Sequence, residues 1–221
     1  MTEMDSLTTT EDYQLITHIL AGNINAYEVV IRRYNQLMFR IAKGIFADDD
    51  EAMDIVQEAH ITAYQKLATF KGPKGFMTWI ATITRNIALM RLRKSSRLSY
   101  KEEKEVFNLI ELDTAAEPIH DAIANQQTKA TLEQLINALP INYRAIFILR
   151  AIEKMAINDI AQILSLEYNV VKVRFHRAKK MLKIEIGEVL TEQKLSLYEF
   201  AGDRCDNITR NVMAVIKQES R

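Results

Sequence analysis

The sequence predicts an all-α protein: two helical domains joined by an acidic, flexible linker, the second domain containing a helix-turn-helix, with a short helical appendage at the C-terminus. Three observations lead there. Six glycines and three prolines in 221 residues amount to about a third of average usage, and such a shortage of turn formers favours long helices over a sandwich or barrel. Apolar residues recur at three- and four-residue steps through most of the chain, which places them on one helical face. The 29 basic and 29 acidic residues cancel in sum, yet they are segregated into blocks.

The first helix opens at Thr9 to Asp12, which has the spacing of a capping box, and stops at Gly22. Ala26, Val29, Val30, Tyr34, Leu37, Met38 and Ile41 mark one face of a second helix that ends near Gly44. Acids from Asp48 to Glu51 suit the N-terminus of a third helix, where negative side chains meet the positive end of the dipole. Ala52, Ile55, Val56, Ala59, Ala63 and Leu67 form its buried stripe. Lys71-Gly72-Pro73-Lys74-Gly75 is a loop, and a fourth helix follows with Phe76, Ile80, Ile83 and Ile87 on one side. From Leu98 to Asn125 the pattern dissolves, acids outweigh bases, and Pro118 breaks any continuous helix. A second helical block starts near Thr128, turns at Pro140, and continues through Ile146–Ile152 and Ile157–Leu164. The expected divisions are therefore 1–97, a linker over 98–125, 126–186, and an extension over 187–221.

Composition narrows the class. Hydrophobic residues at 48% and charged residues at 26% are the balance of an ordinary globular protein. A single cysteine, Cys205, excludes an intramolecular disulfide, and with His18, His60, His120 and His176 it gives no zinc spacing. A reducing, cytoplasmic setting is expected. Cys205 beside Arg204 reads either as a small buried hydrophobe or as a thiol with redox character. Neither a signal peptide nor a membrane span is readable. Clustered carboxylates, a nucleophile motif and a phosphate-binding glycine loop are all missing, so the reading is of a non-enzyme with no cofactor and no metal.

The charge blocks say more about partners. Gly44 to Gln65 contains no Lys or Arg, whereas Lys71 to Lys101 and Lys172 to Lys183 contain no Asp or Glu. Two basic helices in a neutral chain point to two polyanion contacts. Ile157–Leu164, the turn at Ser165-Leu166-Glu167, and a basic helix from about Tyr168 have the layout of a helix-turn-helix. Val171, Phe175, Ala178 and Leu182 fall on one side of its second helix, leaving Asn169, Val173, His176, Arg177 and Lys180 pointing away.

Asp54-Ile55-Val56-Gln57-Glu58-Ala59, Phe70-Lys71-Gly72, Phe76-Met77-Thr78-Trp79-Ile80, Thr84-Arg85-Asn86-Ile87-Ala88 and Arg91-Leu92-Arg93-Lys94 closely resemble the core domain of bacterial RNA polymerase sigma factors of the extracytoplasmic-function group. Leu139-Pro140, Tyr143-Arg144, Asp159-Ile160-Ala161 and the run Val171 to Ala178 resemble that family's C-terminal helix-turn-helix. The resemblance covers roughly Asn25 to Lys183. Ser165 departs from it where the family usually has glycine, Met90 where it often has aspartate, and His60 where an aromatic is common.

The resemblance implies core RNA polymerase and promoter DNA as partners, with an anti-sigma factor as a further possible one. It places polymerase docking on Asp54, Val56, Gln57 and Glu58. Minus-ten contacts fall to Phe70, Lys71, Lys74, Trp79, Arg85, Asn86, Arg91, Arg93, Lys94 and Arg97, and the loop from Phe70 to Phe76 would receive a flipped base. Helical spacing puts Phe76 in the core and Trp79 on its flank. Minus-thirty-five contacts fall to Asn169, Lys172, Val173, Arg174, His176, Arg177 and Lys180. The rival reading is a ligand-sensing, dimeric helix-turn-helix regulator, which leaves the acidic helix and the other basic helix unexplained.

Overall fold

The computed structural model describes residues 11–72, 75–96, 129–182 and 197–219. Every regular element among the described residues is helical. They are α1 (Asp12–Leu20), α2 (Tyr27–Ile45), α3 (Asp49–Gln65), α4 (Phe76–Ser96), α5 (Lys129–Asn137), α6 (Ile141–Phe147), α7 (Ile157–Leu164), α8 (Tyr168–Met181) and α9 (Asp203–Glu219), with short 3-10 turns at Ile24–Ala26 and Leu67–Thr69. The chain forms two compact units, one of Met1–Ala42, Asp48–Ile87 and Phe200–Arg221, the other of Lys43–Ala47 and Ala88–Glu199. The expected acidic linker, 98–125, lies outside the described residues.

In the first unit α1 is capped by Glu11, which makes no side-chain capping bond. Thr9 of the expected capping box lies outside the described residues. Gly22 ends the helix at φ +103°, a conformation glycine adopts without steric penalty. There the N–H of Asn23 donates to the His18 carbonyl at 3.1 Å. Asp12 holds α1 to α2 by accepting from Arg33 at 2.6 Å and from the Tyr34 hydroxyl. All seven apolar positions expected on the second helix are buried.

Asp48 caps α3, its Oδ1 accepting from the Glu51 N–H at 2.9 Å, and Asp49, Asp50 and Glu51 fill the first turn. The expected stripe Ala52, Ile55, Val56, Ala59 and Ala63 is fully buried. Leu67 is buried too, but from the 3-10 turn after the helix. On α4 Phe76, Ile80 and Ile87 of the expected stripe are buried, but Ile83 is only half-buried and Thr84 is fully buried in its place. The Thr84 hydroxyl donates to the Ile80 carbonyl at 2.9 Å, which satisfies its polar group inside the core.

A polar seam runs through this core. The Tyr27 hydroxyl donates to the His60 carbonyl at 2.8 Å, His60 Nε2 lies 2.9 Å from Asn35 Oδ1, and Asn35 Nδ2 donates to Cys205 Sγ at 3.1 Å. Burial with no opposing charge pushes the His60 imidazole down to a pKa of about 3. The C-terminal helix α9 joins the same unit, burying Ile208, Val212, Met213 and Ile216 and packing along α3.

The second unit holds the helix-turn-helix. Leu132, Leu135 and Ile136 of α5 are buried, and α6 passes into a π-turn, Ile148–Ile152, closed by the Glu153 N–H donating to the Ile148 carbonyl at 3.0 Å. Ile160, Ile163 and Leu164 form the inner face of α7. Ser165 then takes the left-handed conformation, φ 55° and ψ 47°, that lets the Leu166 N–H reach back to the Ala161 carbonyl at 2.9 Å. The turn is built as a glycine would build it, but with a serine.

Candidate nucleic-acid and protein interfaces

The α8 surface is assembled from this turn outward. Val171, Ala178 and the following Leu182 are buried, which anchors one side of α8. Phe175 is half-buried, its ring stacked on Phe147 at 6.2 Å with Lys179 Nζ 5.4 Å from the ring centroid. On the opposite side Asn169, Lys172, Val173, His176 and Arg177 are all exposed and together line one open groove of about 470 Å³. Val173 keeps 49% of its surface. An exposed valine among donors and cations is the mixture of side chains that can meet a thymine methyl, base edges and phosphates. Lys180 is exposed about a turn further along.

Arg174, expected in the same set, is the exception. It is 7% exposed, and burial lowers the pKa of its guanidinium, whose Nη1 finds no hydrogen-bond partner. The reason is register: residues 171, 174 and 178 share one helical face, so Arg174 points into the fold with Val171 and Ala178. Tyr168, 47% exposed in the first turn of α8, was not among the expected residues. Its off-stripe position was the available signal.

The region from Phe70 into α4 holds an aromatic cluster. Phe76 and Trp79 stack at 5.4 Å and 26°, and Phe70 lies 5.2 Å from Phe76 and 5.5 Å from Trp79. Phe76 is buried, whereas Phe70 and Trp79 are half-buried. Lys71 is exposed in the loop, and Lys74 lies outside the described residues. Along α4, half-buried Arg85 donates from Nη1 to Oδ1 of exposed Asn86 at 3.0 Å. Arg91 and Arg93 are half-buried and Lys94 is exposed. Arg97 lies outside the described residues.

The four residues expected to dock polymerase divide by face. Val56 is fully buried and serves the core of α3. Asp54 is exposed, while Gln57 and Glu58 are half-buried. Gln57 Oε1 accepts from Asn211 Nδ2 of α9 at 3.2 Å. Among the described residues no cluster of side chains is arranged to hold a metal ion, and no helix is long and apolar enough to cross a membrane.

Comparison with known proteins matches two stretches of the chain. Residues 30–98 match Sigma-70 region 2, and residues 129–182 match Sigma-70, region 4. The chain belongs to the sigma-70 family. It is similar to ECF RNA polymerase sigma factor SigW of Bacillus subtilis, with 26% identity over 79% of this chain and 96% of the relative. The RNA polymerase sigma-H factor of Pseudomonas aeruginosa is 28% identical over 84% of this chain and 99% of its own. The fold of this chain resembles CnrH, solved in complex with the cytosolic domain of CnrY, at a TM-score of 0.55 and 20% identity over 84% of this chain and all of that one. A sigma factor from Bartonella quintana, solved with the anti-sigma factor NepR, gives 0.52 and 22% identity over 71% of this chain and 94% of that one. This protein is thus an extracytoplasmic-function sigma factor, directing promoter-specific initiation through RNA polymerase.

Proposed function

We propose that the sigma factor docks on core polymerase through the outer face of α3, contacts the minus-ten element from the Phe70–Phe76 loop and α4, and reads the minus-thirty-five element with α8. The observation that carries this reading is the gathering of Asn169, Lys172, Val173, His176 and Arg177 on one groove of the helix after a tight turn. Asn169 sits at the groove-entering end, where an amide can bond a base edge in two places, whereas Lys180 lies further along and meets phosphate. On the minus-ten side the half-buried rings of Phe70 and Trp79 wall the place a flipped base would enter. Unstacking a base takes a few kcal/mol, and stacking or edge contacts of about 1–3 kcal/mol per base offset it. Melting then needs no hydrolysis by this chain, which acts in the cytoplasm and catalyses nothing itself.

Transcription in vitro with core polymerase, followed by sequencing of the products, tests this directly. The expected result is initiation at a defined promoter class only when both proteins are present, with weak promoter binding by the free sigma factor. Tight, specific binding to duplex promoter DNA by the free chain, together with no capture of core polymerase, would instead identify a helix-turn-helix regulator.

A further inference from the structure

Helix α9 lies along α3 in parallel, tied at three successive points. Arg204 Nη1 meets Asp49 Oδ2 at 3.0 Å, Asn211 Nδ2 donates to Gln57 Oε1 at 3.2 Å, and Gln65 Nε2 donates to Glu219 Oε1 at 3.0 Å. The contacts ascend together along both helices, so α9 tracks α3 from its first turn to its last, a span of about 24 Å at 1.5 Å per residue. The middle contact takes Gln57, central to the motif on which polymerase docking was placed. A partner that takes this lone pair of Gln57 Oε1 competes with Asn211 for it.

Two kinds of contact hold α9. Its inner face is the buried stripe Ile208, Val212, Met213 and Ile216, whereas its rim is polar and open to water. Arg204 and Asp49 keep 47% and 43% of their side-chain surface, and the Arg32–Asp206 pair keeps 47% and 52%. Ion pairs this exposed contribute little and weaken further with salt. Apolar contact thus carries most of the attachment, and the polar contacts set its register.

We infer that α9 is a built-in occupant of the docking face of α3, so that core polymerase and α9 compete for the surface around Gln57 and full docking requires α9 to move aside. This rests on the reading that α3 is the polymerase-docking helix. The partner that fits the uncovered face is the polymerase itself, and any factor that holds α9 down keeps the sigma factor out of the holoenzyme.

The test uses the full chain in a Cys205→Ser background carrying Gln65→Cys and Glu219→Cys, with and without a short bismaleimide bridge between the two new thiols. Affinity for core polymerase is read by biolayer interferometry. The expected result is at least a tenfold weaker affinity for the bridged chain than for the same chain unbridged, and equal affinities would overturn the inference. In the opposite direction, Val212→Asp with Ile216→Asp should free α9 and tighten binding. The bridged chain decides the matter where that variant loses its fold. Asp54→Arg in the unbridged chain separates the two claims. Unchanged affinity there removes α3 as the docking helix and the inference falls with it, whereas a loss there with no effect of the bridge overturns the occupancy of α9 alone.

Discussion

Helices α3 and α8 both carry a set of residues expected to meet a macromolecule, and the fold treats them in opposite ways. On α8 five of the seven expected residues line a single open groove. On α3 one of the four is in the core, and Gln57 is hydrogen-bonded to α9. A sequence motif names the residues a surface uses; whether that surface is presented or already engaged is decided by segments far away in the chain. Asn211 is 154 residues from Gln57, and nothing local to either marks the contact.

The comparison breaks most visibly if α8 does not enter a groove in the register described. Asn169→Ala should change holoenzyme discrimination by about 1–3 kcal/mol at particular minus-thirty-five base pairs, with little change in salt dependence. Lys180→Ala should lower affinity about equally on all sequences and make the salt slope shallower by about one unit. Binding to single-base promoter variants at several salt concentrations measures both. Base-selective loss from Lys180→Ala with uniform loss from Asn169→Ala would put the helix in another register.

On the α3 side, the sharpening experiment is a pH series. His60 is held at a pKa of about 3, against an ordinary value of 6.5. Its contribution is therefore complete above pH 6.5. Below that the unfolded chain takes up a proton that the folded chain refuses, and stability falls towards pH 3 by up to about 1.4 kcal/mol per pH unit from this group. His60→Phe should make the acid limb of denaturant-derived stability shallower by about that amount. Identical slopes in the two proteins would mean that the imidazole is not kept neutral.

Two smaller effects concern the inner side of α8. Arg174→Met replaces a buried, incompletely bonded guanidinium by an apolar chain of similar reach, and should leave stability unchanged or raise it by about 1 kcal/mol, with promoter discrimination intact. A selective loss of discrimination in this variant would return Arg174 to the reading surface. Ser165→Gly should stabilise the second unit by about 0.5 kcal/mol, since glycine takes the left-handed conformation without a Cβ clash. A lower unfolding midpoint for that variant would show that the serine hydroxyl matters more than its backbone strain.

Much of this was legible from local spacing. The stripes on α2 and α3, the acidic start of α3 and the ending of α1 at Gly22 all follow from residues within a few positions of one another. Thr84 was missed because its hydroxyl counts as polar until its bond to Ile80 is seen. Arg174 was misplaced because its charge was weighed above its register, although the spacing from Val171 and Ala178 was there to read. The spacing of Ile208, Val212 and Ile216 points to a buried face on α9, but not to the helix it packs against, because apolar burial is non-directional and many stripes fit one another.

The position of α9 on α3 also has a bearing on dosage. An inhibitor encoded separately must be made in proportion to its target, and dilution or overproduction of either partner shifts the balance. A helix carried by the same chain is present at one copy per copy, and its association with α3 does not depend on how much protein the cell makes. Raising expression would then supply more covered sigma factor in the same proportion. The fraction available to polymerase would change only through polymerase abundance or through events acting on the helix itself.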